Sequence, residues 1–135
     1  MLKLIIGVKG TGKTKQLIDM VNASLDSSQG DVVCIEKGDK LKFDVKYQCR
    51  LIDTEYYNIA DASTLYGFVA GILASNHDVT DLYIDSALKI CGDDISAFDR
   101  FLGLIDALTS RSNVHCVMTC SLAEENASDT IRKYV

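Results

Sequence analysis

Residues 7–14 read GVKGTGKT and stand between an apolar run, LKLII, and the amphipathic segment TKQLIDMVNASL. The pattern Gly7-x-x-x-x-Gly12-Lys13-Thr14 has a definite chemical use. Glycines let the backbone through Gly7, Val8, Lys9, Gly10, Thr11 and Gly12 curl so that successive N–H groups turn inward on phosphate oxygens. A helix that begins near Lys13 adds its unpaired N–H groups and the positive end of its dipole. Lys13 then supplies a point charge for the β- and γ-phosphates of a nucleoside triphosphate, and the Thr14 hydroxyl a ligand for Mg²⁺. Lys9, a second lysine in the loop, reads as exposed or as a supplementary phosphate contact.

A loop of this kind needs a carboxylate from another strand to hold the metal through water. DLYIDS supplies Asp85 at the end of an apolar run. Ser86 follows it, where many hydrolases place a glutamate that polarises the attacking water. The chain has only four glutamates, Glu36, Glu55, Glu124 and Glu125. Glu36, at the end of VVCIE, is the one expected nearest the phosphates.

Elements must bring these groups together. Apolar runs at residues 2–6, 31–35, 49–53, 81–85 and 114–120 read as strands, the third the weakest. Segments 14–25, 61–76 and 93–108 have helical period, and a short terminal helix is expected after the last strand. Gly67 and Gly71, one turn apart, predict close packing of the second helix against the sheet. Nearly continuous apolar strands alternating with helices imply an α/β fold: a three-layer α/β/α sandwich around a mostly parallel five-stranded sheet. Ligands of such sheets sit at the carboxyl ends of the strands.

Composition narrows the functional classes. The 135 residues are 47% hydrophobic and 24% charged, as expected for one soluble domain, 1–135. No apolar stretch approaches the roughly 18 to 20 residues of a membrane span, and the first residues lack the features of a signal peptide. A cytoplasmic, membrane-free location is the expectation. A net charge of −5 argues against nucleic acid as a partner. The lysine-rich stretch 36–50 reads as a solvated loop or edge, with Lys40 and Lys42 protecting the sheet. The five cysteines show no paired spacing and read as reduced and buried.

The order of these parts resembles the core of RecA-type ATPases, a branch of the P-loop NTPases. Such a core has the phosphate loop (here GVKGTGKT, the Walker A pattern) and then a strand ending near a catalytic glutamate (VVCIE, with Glu36). A strand whose metal aspartate precedes serine follows (YIDS, with Asp85), and the last strand ends in polar residues that sense the γ-phosphate (MTCS, with Thr119 and Ser121). The resemblance implies ATP and Mg²⁺ as ligands, with Lys13 and Glu36 as the catalytic groups. The usual glutamine after the last strand is replaced near Ser121, and no segment offers the DNA-contacting arms of recombinases. Short bacterial ATP-binding proteins labelled twitching-motility ATPases are similar too, although the extra domain and histidine motifs of motility motors are missing. Arg100 and Arg132 could reach a neighbouring subunit, which leaves a homo-oligomer or a protein partner open. Three activities fit: a slow ATPase that needs such a partner, a nucleotide-dependent switch without significant catalysis, and a small-molecule kinase. The kinase lacks an arginine-bearing lid.

Overall fold

The computed structural model describes all residues, 1–135. Five strands, β1 (Leu2–Gly7), β2 (Asp31–Glu36), β3 (Arg50–Asp53), β4 (Val79–Ile84) and β5 (His115–Ser121), form one sheet in the order β1-β5-β4-β2-β3. Every strand pair is parallel. The helices are α1 (Lys13–Ser27), α2 (Ala62–Ser75), a short α3 (Ala87–Ile90), α4 (Ile95–Arg111) and α5 (Asp129–Tyr134). No helix is long and apolar enough to cross a membrane.

Burial explains why the strands read as unbroken apolar runs. Leu4, Val33, Leu82, Cys116 and Met118 point into a core shared with α2, α4 and α5. Ile5, Cys34, Tyr83 and Val117 point the other way, against Leu17 and Val21 of α1 and against Leu41 and Val45 of the β2–β3 loop. Both faces are thus covered, as a parallel sheet requires. Each helix presents an apolar stripe one turn apart: Leu65, Val69 and Leu73 on α2, and Phe98, Leu102 and Ile105 on α4. The N-termini of α2, α4 and α5 are closed by the side chains of Asp61, Asp94 and Ser128, each accepting a backbone N–H.

Two expectations are corrected. Gly67 and Gly71 lie on the exposed side of α2, and a methyl group added at either would meet nothing within 4 Å. Their spacing puts them on one face, but the buried face is the one that carries Leu65 and Val69. Lys40 and Lys42 do not guard a sheet edge. They belong to the β2–β3 loop, where Lys42 pairs with Asp39 at 3.6 Å and lies over the Phe43 ring.

All five cysteines are free and buried. Burial pushes the thiols of Cys91, Cys116 and Cys120 up to about 12, so they are apolar filling rather than nucleophiles.

The tight approach in this fold is at Gly30. A Cβ there would stand 2.6 Å from Thr80 Cγ2 and closer still to the Asp78 carbonyl oxygen. That oxygen accepts the Asp31 N–H at 2.8 Å, so it cannot retreat without breaking the entry to β2. Gly30→Ala is expected to cost about 1–3 kcal/mol of stability through overpacking. The check is urea unfolding: the midpoint should fall with the slope unchanged, and an unmoved midpoint would contradict the crowding.

Candidate functional site

The carboxyl ends of β1, β5, β4 and β2 converge on a cleft of about 360 Å³. Parallel strands make this inevitable, because every loop that follows a strand emerges at the same edge. The loop after β1 is residues 8–12. Gly10 and Gly12 both have φ +86°, a left-handed conformation that glycine adopts without a Cβ penalty. Gly7 carries no side chain for a different reason, since a Cβ there would lie 2.8 Å from Thr11 Oγ1.

Two hydrogen bonds hold the loop closed on itself. The Val8 carbonyl accepts from Thr11 Oγ1 at 2.8 Å and from Lys13 Nζ at 2.9 Å. Val8 and Thr11 are themselves exposed, so they build the loop rather than line the cleft. Lys13 is buried, at 8% exposure, with its ammonium group brought to the loop's centre. Gly12 precedes α1 and offers no side-chain cap. The first N–H groups of α1 therefore keep the electropositive character of an uncapped helix start, unlike those of α2, α4 and α5.

Thr14 and Asp85, 71 residues apart in the chain, meet at this point. Thr14 Oγ1 donates to the Asp85 carboxylate, 3.1 Å from Oδ1 and 3.3 Å from Oδ2. Asp85 follows β4 and is anchored by its own N–H, which donates to the Ile35 carbonyl at 2.8 Å. Its Oδ1 also accepts from Thr119 Oγ1 at 2.7 Å, and Thr119 Oγ1 in turn accepts the Ser86 N–H at 2.8 Å. Ser86 has φ 59° and ψ 44°, left-handed backbone that is unusual for a residue with a side chain. The insertion of β5 between β1 and β4 makes this link possible, since it places Thr119 beside Asp85.

Glu36 ends β2 at 3% exposure and lines the same cleft. Its Oε1 accepts the Lys40 N–H at 3.0 Å, and the Leu41 N–H lies 3.3 Å from both oxygens. The carboxylate thus folds the β2–β3 loop back over the strand ends. Burial raises its pKa from the ordinary 4.5, against the two N–H donors, which lower it.

No family model matches this chain, and no curated protein matches it. The functional reading therefore stands on residues and geometry.

Every expected site residue lies at this edge, but the roles sort differently from the order in the sequence. Thr119 has its hydroxyl engaged with Asp85 and Ser86 and is buried, whereas Ser121 is exposed at the cleft. Of the two, Ser121 has the free hydroxyl. Four further cations join the cleft that the motif does not contain: Lys15 from α1, Lys37 and Lys40 from the β2–β3 loop, and Lys89 from α3. Lys89 went unrecognised because α3 has only four residues, too few for a helical period to show. Its position four residues beyond Asp85 is the signal that marks it. Arg100 donates to Ser96 and Arg132 pairs with Asp129 at 4.0 Å; neither lines the cleft.

The donor set suits a hard divalent cation. A hydroxyl and a carboxylate, both oxygen donors, stand within hydrogen-bond distance of each other beside the loop. No group of three or more histidine, cysteine or acidic side chains gathers in the protein, so nothing here resembles an all-protein metal cage. Mg²⁺ binds well through one or two protein oxygens when phosphates and water complete its shell.

Proposed function

We propose that this chain is a P-loop protein of RecA-like build that binds a nucleoside triphosphate with Mg²⁺, ATP being the reference nucleotide, and hydrolyses it slowly. The observation that carries this reading is the meeting of Thr14 with Asp85 at the mouth of the glycine loop. A chance glycine turn has no reason to bring a strand-end carboxylate from 71 residues away onto the threonine of its own pattern.

The division of labour follows from position. Loop amides and Lys13 bind the phosphate chain, and Ser121 is placed to donate to it at the edge of β5. Thr14 and Asp85 would hold Mg²⁺, which neutralises charge on the β- and γ-phosphate oxygens when bound. Thr119 keeps the Asp85 carboxylate turned toward Thr14. Glu36 orients water and accepts a proton, a task that its raised pKa suits. Hydrolysis is slow because no arginine lines the cleft to stabilise developing charge on the phosphates. A partner or a second copy that supplied one would accelerate it.

Glu36→Gln keeps an oxygen for the Lys40 and Leu41 N–H groups and removes the base. Phosphate release should fall about 10²–10⁴-fold while ATP affinity, read by calorimetry, does not fall. Wild-type turnover should decline on acidification as Glu36 takes up a proton, at a pH above 4.5. The stability effect has the opposite sign. A raised carboxyl pKa contributes stability that is full below the unfolded value and is lost as pH rises through the folded one. The acid loss of turnover is therefore not unfolding driven by this group.

Two observations favour the switch reading instead. Ser86 takes the place of a catalytic glutamate, and the Glu36 carboxylate already serves two backbone N–H groups. Wild-type phosphate release no faster than that of Lys13→Ala, with ATP still bound, would select the switch.

A further inference from the structure

The cleft holds more positive charge than its motif requires. Six of the ten lysines line it: Lys9, Lys13, Lys15, Lys37, Lys40 and Lys89. Only two carboxylates, Glu36 and Asp85, face them, which leaves a surplus of four positive charges in a chain of net charge −5. Lys15 is neutralised in part by Asp19 at 3.5 Å. Lys9, Lys37, Lys40 and Lys89 form no ion pair. Two of these positions have a fixed backbone all the same. The Lys40 N–H is tied to Glu36, and Lys89 lies between Leu88 and Ile90, both buried in the core.

What the cleft lacks is equally specific. Of its 15 lining residues one is hydrophobic, and none is aromatic. That one, Leu41, is 3% exposed and belongs to the core beneath α1. The exposed aromatic rings of Phe43, Tyr47 and Tyr56 all lie outside the cleft. A nucleobase needs a flat apolar face to lie on and placed groups to read its edge. Neither is present. Every cation is a lysine, and an ammonium group is a point charge that attracts phosphate without imposing the planar two-pronged geometry of arginine.

We infer that the ligand class of this cleft is the oligophosphate chain itself, recognised by charge and by loop amides, with the base left unread. The sign matches: a triphosphate is a polyanion, and Mg²⁺ at Thr14 and Asp85 would offset part of its charge. The inference rests on the triphosphate site proposed above and extends it to inorganic tripolyphosphate and to any nucleoside triphosphate.

Calorimetry of the full chain with magnesium salts of ATP, GTP, CTP and tripolyphosphate tests it. The four affinities should agree within about fivefold, because a site that hydrogen-bonds a base rejects its absence by about 10⁴-fold. Lys37→Gln, Lys40→Gln and Lys89→Gln, all at exposed positions, should each weaken ATP and tripolyphosphate alike, by about two- to fivefold at low salt. A preference for ATP beyond fivefold over GTP, CTP or tripolyphosphate overturns the inference and leaves the triphosphate site standing. Binding of none of the four overturns both.

Discussion

Lys13→Ala is expected to lower the affinity for ATP with Mg²⁺ on the order of a hundredfold or more while the protein stays folded. The size follows from where the ammonium group sits. It is buried at 8% exposure, at the centre of the loop, where its contact to a phosphate would be charge-assisted. Its Nζ donates to the Val8 carbonyl at 2.9 Å, so a bound phosphate would exchange a neutral acceptor for an anionic one. Losing that internal bond costs about 1 kcal/mol, too little to unfold the domain. Thr11 still ties the loop through its own bond to Val8. Circular dichroism should be unchanged, and calorimetry should show the loss. Affinity within threefold of the wild type would remove the centre of the proposed site.

Phe98→Ala is the counterpart in the core, with a large effect on stability and none on the intrinsic site. Phe98 is fully buried on α4 and stacks on Phe101, with ring centroids 6.0 Å apart and an interplanar angle of 21°. Truncation removes a large apolar side chain and leaves a cavity that the sheet and α2 cannot collapse to fill, at a cost of about 3–5 kcal/mol. Against a typical total of about 5–15 kcal/mol, that is a large fraction. The denaturation midpoint should drop accordingly. The folded fraction should still bind ATP with wild-type affinity, since α4 supplies nothing to the cleft. An unshifted midpoint would mean that the Phe98 pocket collapses on truncation.

The elements were legible in the sequence for a physical reason. A strand covered on both faces must be apolar at nearly every position, so the runs at β2, β4 and β5 could hardly be anything else. The loop pattern was legible because glycine, lysine and threonine each answer a separate need. Strand order was not, because local sequence does not record which strand lies beside which. That order brings Thr119 to Asp85, so that its hydroxyl is engaged by the Asp85 carboxylate. The lysines of the cleft were hidden for the same reason: Lys37 and Lys40 follow β2, Lys89 follows β4, and they meet only because parallel strands empty at one edge. Gly67 and Gly71 show the complementary failure, where periodicity revealed a shared face but not which face is buried.

The concentration of ammonium groups at one end of the sheet leaves the remainder of the chain with nine more acidic than basic side chains. Such a molecule is an electric dipole, and an anion diffusing past it is turned away from most of its surface and drawn toward one pole. Encounter should be fast in dilute buffer and slow sharply as ionic strength rises and shortens the range of the field.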